Sequence, residues 1–292
     1  MTAGATPALR GTLLVVLAVG IFAVMDTIAK YLARSYPIPG LVWARYAANL
    51  VILLAFLGAR GEFKRLRTAR PGLQILRGLL LAGASVLYFT SLTVLPLAEA
   101  AAIGFVMPLF LALLAVPMLG ERMDGGRLAA VLVGLAGALV IVRPGASVFT
   151  PYALLPVGMA VCNAFYQILT RKVAGVEHPL TSVVWGAIVG TVLFSLVAPF
   201  AWVTPANPWH WFLLGVIGML ASVGHFLLIK AYDYATATAL APFFYTQLVW
   251  VMLLGWLVFG DFPDGWSLFG MGIIVAAGIF LVGRQRLTMH RR

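Results

Sequence analysis

The sequence predicts an all-α integral membrane protein of ten transmembrane helices arranged as two inverted five-helix repeats, and three observations predict it. Of the 292 residues, 62% are hydrophobic and 10% charged, with a mean hydropathy of +1.02; a soluble domain carries about 25% charged residues and could not cover so much apolar surface. The apolar residues also fall into ten runs, each near the roughly 20 residues that a helix needs to cross a hydrocarbon core about 30 Å thick. Finally, one polar gap recurs 140 positions on: GERMDGGRL at 120–128 and GDFPDGWSL at 260–268 share Gly, an acid, Asp-Gly and Leu at the same spacing.

In chain order the runs are 11–34, 39–58, 72–93, 97–119 and 125–143, then 151–174, 179–201, 209–235, 237–259 and 265–284. They are long, unbroken and rich in Leu, Ala and Gly, without the alternation of a lipid-facing strand, which excludes a barrel. The flanks repeat as well, Leu113-Leu114 answering Leu253-Leu254 and Val42-Trp43 answering Val184-Trp185. Repeats fix architecture, so the halves are drawn at 1–146 and 147–292. An odd number of spans reverses the next copy, and inverted repeats are a recurring plan of secondary transporters.

The net charge of +11 raises nucleic acid as a partner, but topology explains it and no nucleic acid is expected. With the N-terminus inside, fourteen of the twenty Lys and Arg fall on one face, led by the Arg60 to Arg70 loop, against Arg34 and Arg143 on the other. That asymmetry places both termini in the cytoplasm and the basic loop against anionic lipid headgroups. Arg10 precedes an apolar run that continues to Ala33, too long for a cleaved leader, so it reads as an uncleaved first helix. Cys162 is the one cysteine, which excludes an internal disulfide and a cysteine-based metal site.

Polar residues inside the runs are the candidate functional groups, because they are costly in lipid and usually face the bundle interior. Helix 1 carries Asp26 and Lys30 at i, i+4, with two readings: an ion pair fixing helix 1 against Arg45 of helix 2, or a proton or ammonium site. Helix 3 offers Ser85 and Tyr88, Tyr88 lying deeper than most interfacial anchors. Glu99 sits near the start of helix 4, where an acid also favours the helix dipole; further on, Pro108 bends the helix at mid-depth and exposes Gly104 and Met107. Helix 6 places Asn163, Tyr166 and Gln167 at i, i+3 and i+4, one wet stripe that either lines a cavity or glues helices. Helix 8 has His225 near mid-depth, an interhelical donor, a proton relay or a substrate contact, and Lys230 with Asp233 as an end-of-helix pair. Helix 9 has Pro242, Phe243, Phe244, Tyr245 and Gln247, an aromatic stretch at a Pro break.

No catalytic constellation emerges. The four His are scattered, and there is no HExxH, no glycine-rich phosphate loop, no Ser-His-Asp set and no nucleotide-binding domain. An enzyme is therefore not expected, nor a metal, nor a cofactor. A transporter with these features would draw on its substrate's own gradient or on a coupled ion.

The ten spans, the short loops and the Gly-acid then Asp-Gly turn after helix 4 resemble the drug/metabolite transporter superfamily, EamA type. LPLAEAAAIGFVMPLFLALLAVPMLGERM (95–123) is similar to that family's most recognisable segment. The resemblance covers essentially the whole chain. It implies a multi-pass protein of the bacterial inner membrane, monomeric or homodimeric. It also implies a central cavity lined by helices 1, 3, 4, 6, 8 and 9, with helices 5 and 10 peripheral. The expected substrate site is Tyr88, Met107, Asn163, Tyr166, Gln167, His225 and Tyr245, with Asp26, Lys30 and Glu99 as proton or ion-pair sites. Few deep charges suit a small zwitterion or amphipathic metabolite better than a polyanion. Export of amino acids, aromatic and other apolar ones included, is the favoured expectation. Its rival is uptake of a cofactor-like metabolite such as riboflavin or S-adenosylmethionine, whose carriers MDTIAKYL (25–32) and VWARY (42–46) resemble. A membrane enzyme or scaffold is the distant alternative.

Overall fold

The computed structural model describes residues 7–94, 103–142, 151–260 and 264–289, and among them every regular element is helical. The main helices are α1 Pro7–Leu32, α2 Ile38–Arg60, α3 Pro71–Val94, α4 Met107–Leu119, α5 Gly125–Val142, α6 Leu154–Val173, α7 Pro179–Ser195, α8 Pro208–Tyr234, α9 Thr246–Phe259 and α10 Gly265–Met289. Among the described residues, five stretches are long and apolar enough to cross a membrane: α1, α2, Pro71–Tyr88 of α3, α8 and Ala237–Val258. Four more are apolar but shorter: α4, Gly125–Val140, α7 and Gly265–Phe280. The 20-residue α6 is the most polar of the main helices, because it carries Asn163, Gln167, Arg171 and Lys172.

Part of the gap between ten runs and five long helices has a local cause. Ile103 and Gly104 are helical, the chain turns at Phe105 and Val106, and α4 begins at Met107 with Pro108 in its first turn. Helix α9 is likewise preceded by one turn of helix, Ala237–Leu240, and a 3-10 segment, Ala241–Tyr245, with Pro242 in its first turn. Proline fits a first turn because the N–H it lacks would find no intrahelical acceptor there. Pro108 therefore starts a helix where the sequence alone predicts a bend within one.

Packing follows a regular scheme. Helix α1 lies along α8 and α3 along α6; α2 packs on α8 and α7 on α3; α1 meets α9 and α4 meets α6; α2 pairs with α7 and α5 with α10. Adding or subtracting five from every number returns the same set of pairs. The recurrent turn has an atomic basis too. Gly120 (φ 65°) and Gly260 (φ 76°) end α4 and α9 in the left-handed region, where a side chain costs energy. Asp124 Oδ1 then accepts from Gly126 N at 3.0 Å and Asp264 Oδ1 from Ser267 N at 2.9 Å, capping α5 and α10.

The two Val-Trp pairs have matching roles. Trp43 Nε1 of α2 donates to Ser195 Oγ of α7 at 3.0 Å, and Trp185 Nε1 of α7 donates to the Leu66 carbonyl just beyond α2 at 3.0 Å. Between these ties the Tyr46 ring lies so close to Gly190 that an added Cβ would sit 2.3 Å from a ring carbon. Such small-residue contacts are what hold helices together where lipid is as apolar as the side chains.

Candidate functional site

A cavity of about 230 Å³ lies where the two broken helices meet α1, α2, α3, α6 and α8. Gly104, Phe105, Met107 and Pro108 face it from the break before α4, and Phe244 and Gln247 from the break before α9. Irregular backbone at membrane depth is tolerated where it borders such a space, and transporters place binding sites there. Among the described residues, helices α5 and α10 contribute none to the lining; they pack on each other.

Most of the residues singled out from the sequence converge on this cavity: Asp26, Tyr88, Met107, Asn163, Tyr166, Gln167 and His225 all line it. The α6 stripe is bonded as well as exposed to the lumen. The Tyr166 hydroxyl lies 3.2 Å from His225 Nδ1, and the Tyr166 ring has the buried Arg77 guanidinium 5.1 Å from its centroid. Gln167 Oε1 accepts from the Tyr232 hydroxyl at 3.1 Å. The stripe thus both lines the cavity and joins helices.

Two expectations come out differently. Asp26 is exposed and accepts from Gln247 Nε2 of α9 at 3.3 Å, and no ion pair links it to Lys30 or Arg45. Lys30 is exposed and off the lining. Tyr245 is fully buried outside the cavity, against Gly134 of α5 and Phe105. In the 3-10 segment consecutive residues point about 120° apart, since it has three residues per turn, so Phe244 takes the lumen and Tyr245 the opposite side. Glu99 lies outside the described residues.

Polar bonds join the ends of the lining helices α4 and α6 to their neighbours. Glu121, in the turn after α4, accepts from the backbone of Ala237 at 3.0 Å and Thr238 at 2.9 Å, and from Arg171 Nε of α6 at 3.4 Å. Arg171 Nη1 also donates to the Tyr232 carbonyl of α8 at 2.6 Å. The carboxylate therefore joins the ends of α4 and α6 to the first turn before α9. Beside it, Glu177 accepts from Thr68, Gln74 and the Arg70 backbone, tying the start of α3 to the α6–α7 turn. Lys230 pairs with Asp233 at 2.8 Å, as its spacing predicts. His178 caps α7, its Nδ1 accepting from Leu180 N at 3.3 Å; burial, and then Arg65, hold its pKa below the ordinary histidine value. Val15, Leu111, Ala115, Ile168 and Leu240 pack with the lining residue Leu228 in one apolar cluster.

Sequence reasoning missed Phe22, Met25 and Met159 as lining residues. Stepping three or four residues back from the polar markers would have found two of them: Phe22 lies four before Asp26, and Met159 four before Asn163. It also underrated Arg45. The resemblance leaves helix 2 out of the lining, yet Arg45 enters it from α2, with Nη2 3.1 Å from Ser85 Oγ and the guanidinium 4.8 Å from the Tyr46 centroid.

Comparison with known proteins finds the same plan. The EamA-like transporter family matches residues 9–143 and again 150–284. An S-adenosylmethionine uptake transporter of Rickettsia conorii is 32% identical over 267 residues, 91% of this chain and 90% of that protein. A riboflavin transporter of Vibrio cholerae is 31% identical over 94% of this chain and 93% of its own length. A pseudopaline exporter of Pseudomonas aeruginosa is 30% identical over 93% and 95%. A solved crystal structure superimposes with a TM-score of 0.78 at 21% identity, over 96% of this chain and 98% of the other, a likeness of fold alone.

Proposed function

The chain belongs to the EamA-like transporter family, and from that premise we propose that it is a secondary transporter moving a small organic metabolite through the central cavity by alternating access. The observation that carries the reading is the pairing of a cavity at the breaks of two helices with a bonded seal at one end. On this reading all ten helices span the bilayer as two inverted halves. The basic loops support a cytoplasmic position for the sealed end and both termini in a bacterial inner membrane. The site is Tyr88, Met107, Asn163, Tyr166, Gln167 and His225, with Asp26 facing the same lumen.

Two substrate readings have specific support. Phe22, Tyr88, Phe105 and Phe244 give the lumen flat apolar walls, which suit the ring of an aromatic amino acid. They suit equally the ring systems of S-adenosylmethionine and riboflavin, the compounds named for two relatives. Direction follows from the gradients and the coupled ion, not from the lumen's shape. The test is uptake and efflux of radiolabelled S-adenosylmethionine, riboflavin and L-phenylalanine by proteoliposomes, with and without a pH gradient. At least one should cross faster than in protein-free vesicles; if none does, the transport reading is lost.

A further inference from the structure

Two charged side chains among the described residues face the cavity, Asp26 from α1 and Arg45 from α2. An ionised group inside a membrane helix is costly, and where it persists it is paired or works on something that passes. Here the two charges do not satisfy each other. Asp26 accepts from the neutral amide of Gln247 at 3.3 Å, and Arg45 donates to the neutral hydroxyl of Ser85 at 3.1 Å, with no ion pair between them. Ser85 in turn donates its own proton to the Leu81 carbonyl at 3.0 Å, which leaves its lone pairs for the guanidinium. The positions of the acid and the base are thus set by uncharged groups on α9 and α3.

What remains unused is informative. A guanidinium has five N–H donors in a fork that matches a carboxylate, and Ser85 takes one of them. Asp26 Oδ2 meets Gln247, and the carboxylate lines the lumen. A polyanion would meet Asp26, a simple cation would leave Arg45 uncompensated, and a neutral ring would leave both charges without a partner. One kind of ligand satisfies both at once, a molecule that carries an ammonium and a carboxylate on one short head.

We propose that Asp26 and Arg45 select substrates by an α-amino-acid head, Asp26 receiving the ammonium and Arg45 the carboxylate, while the remainder of the molecule lies against Phe22, Tyr88, Phe105 and Phe244. This rests on the transport reading and narrows it. S-adenosylmethionine and aromatic amino acids carry the head; riboflavin does not.

The experiment measures equilibrium binding to the full-length protein in nanodiscs, with S-adenosylmethionine, its decarboxylated analogue, which keeps the amine, and 5′-methylthioadenosine, which lacks the head altogether. The wild type should bind the first at least tenfold more tightly than either of the others. Arg45→Gln should erase the difference between the first two compounds, leaving the amine analogue within twofold of its wild-type affinity. Asp26→Asn should weaken both amine-bearing compounds and spare 5′-methylthioadenosine. Equal binding of all three by the wild type, a result that needs no variant to fold, overturns the proposal, as does an equal loss of all three in both variants. Riboflavin crossing in proteoliposomes while no amino-acid-headed compound does would overturn the head-group assignment and leave the transport reading standing. Failure of every compound to cross would remove the transport reading itself.

Discussion

In the turn after α4 the Glu121 carboxylate gathers three donors from other elements within 3.4 Å, whereas the Asp26 carboxylate, on the cavity lining, holds one amide at 3.3 Å and stays exposed. The side chain of Glu121 is 7% exposed. The same functional group thus does two jobs, and its partners decide which. Backbone N–H groups at the start of a helical turn have no intrahelical acceptor, so a carboxylate brought to them forms a strong, charge-assisted lock. An amide side chain brings no opposite charge to a carboxylate, so Asp26 has no ionic lock of the kind Glu121 has. On the proposed mechanism the structure is one half of a cycle, locked at the Glu121 end and receptive at the Asp26 end.

The largest expected effect comes from breaking the lock. Glu121→Ala strands two backbone donors and removes the acid beside Arg171, a loss of roughly 2–3 kcal/mol, or about 30- to 150-fold in the gate equilibrium. With Cys162 replaced by Ala and Gln167 by Cys, labelling by a membrane-impermeant maleimide from the Glu121 side should rise in Glu121→Ala. Unchanged labelling would show that the polar bonds are not what closes that end. A smaller effect is expected from crowding the receptive end. A Cβ on Gly104 would sit 2.6 Å from Met159 Cε, so Gly104→Leu should raise the KM for transported substrate about tenfold, equivalent to the 1–3 kcal/mol of overpacking.

Two conservative changes mark the edge of the receptive region. Tyr166→Phe removes the hydroxyl at His225 and should weaken substrate binding about fivefold, near 1 kcal/mol. Tyr245→Phe should leave transport within about twofold and raise Tm slightly, because the Tyr245 hydroxyl is buried without a hydrogen-bond partner, and removing an unsatisfied polar group relieves a penalty of about 1 kcal/mol. A KM change for Tyr245→Phe as large as that for Tyr166→Phe would move the boundary of the site.

An effect on stability alone is expected at the locked end. His178→Ala should lower stability by about 1 kcal/mol through loss of the α7 cap. Because the folded-state pKa of His178 is depressed, the cap is present above the ordinary histidine pKa and is lost as pH falls through the lowered value. The difference in Tm between variant and wild type should therefore shrink in acid.

The legible part of the site was the part with chemical contrast. Asn163, Tyr166 and Gln167 stand out in an apolar run, and their spacing alone puts them on one face. Phe22, Met25 and Met159 have no such contrast, since an apolar residue in a membrane helix reads the same whether it meets lipid or lumen. The duplicated turn was readable because a left-handed Gly and an aspartate cap are backbone requirements that few residues meet. Side-chain direction inside Ala241–Tyr245 was not, because it depends on whether the chain winds as a 3-10 or an α-helix after Pro242. The partners of Asp26 were hidden for a third reason: Gln247 lies 221 positions away, and nothing local to helix 1 points to it.

The indole ties between α2 and α7 have a mechanical consequence. Fastened to each other near both ends and in close contact between them, these two helices form a stiff rib through the depth of the molecule. On the proposed mechanism, flexing that exchanges one opening for the other then has to be concentrated in the interrupted helices, whose joints depart from α-helical winding beside the lumen. Slow amide exchange along the rib beside fast exchange at Phe105–Val106 and Ala241–Tyr245 would be its visible mark.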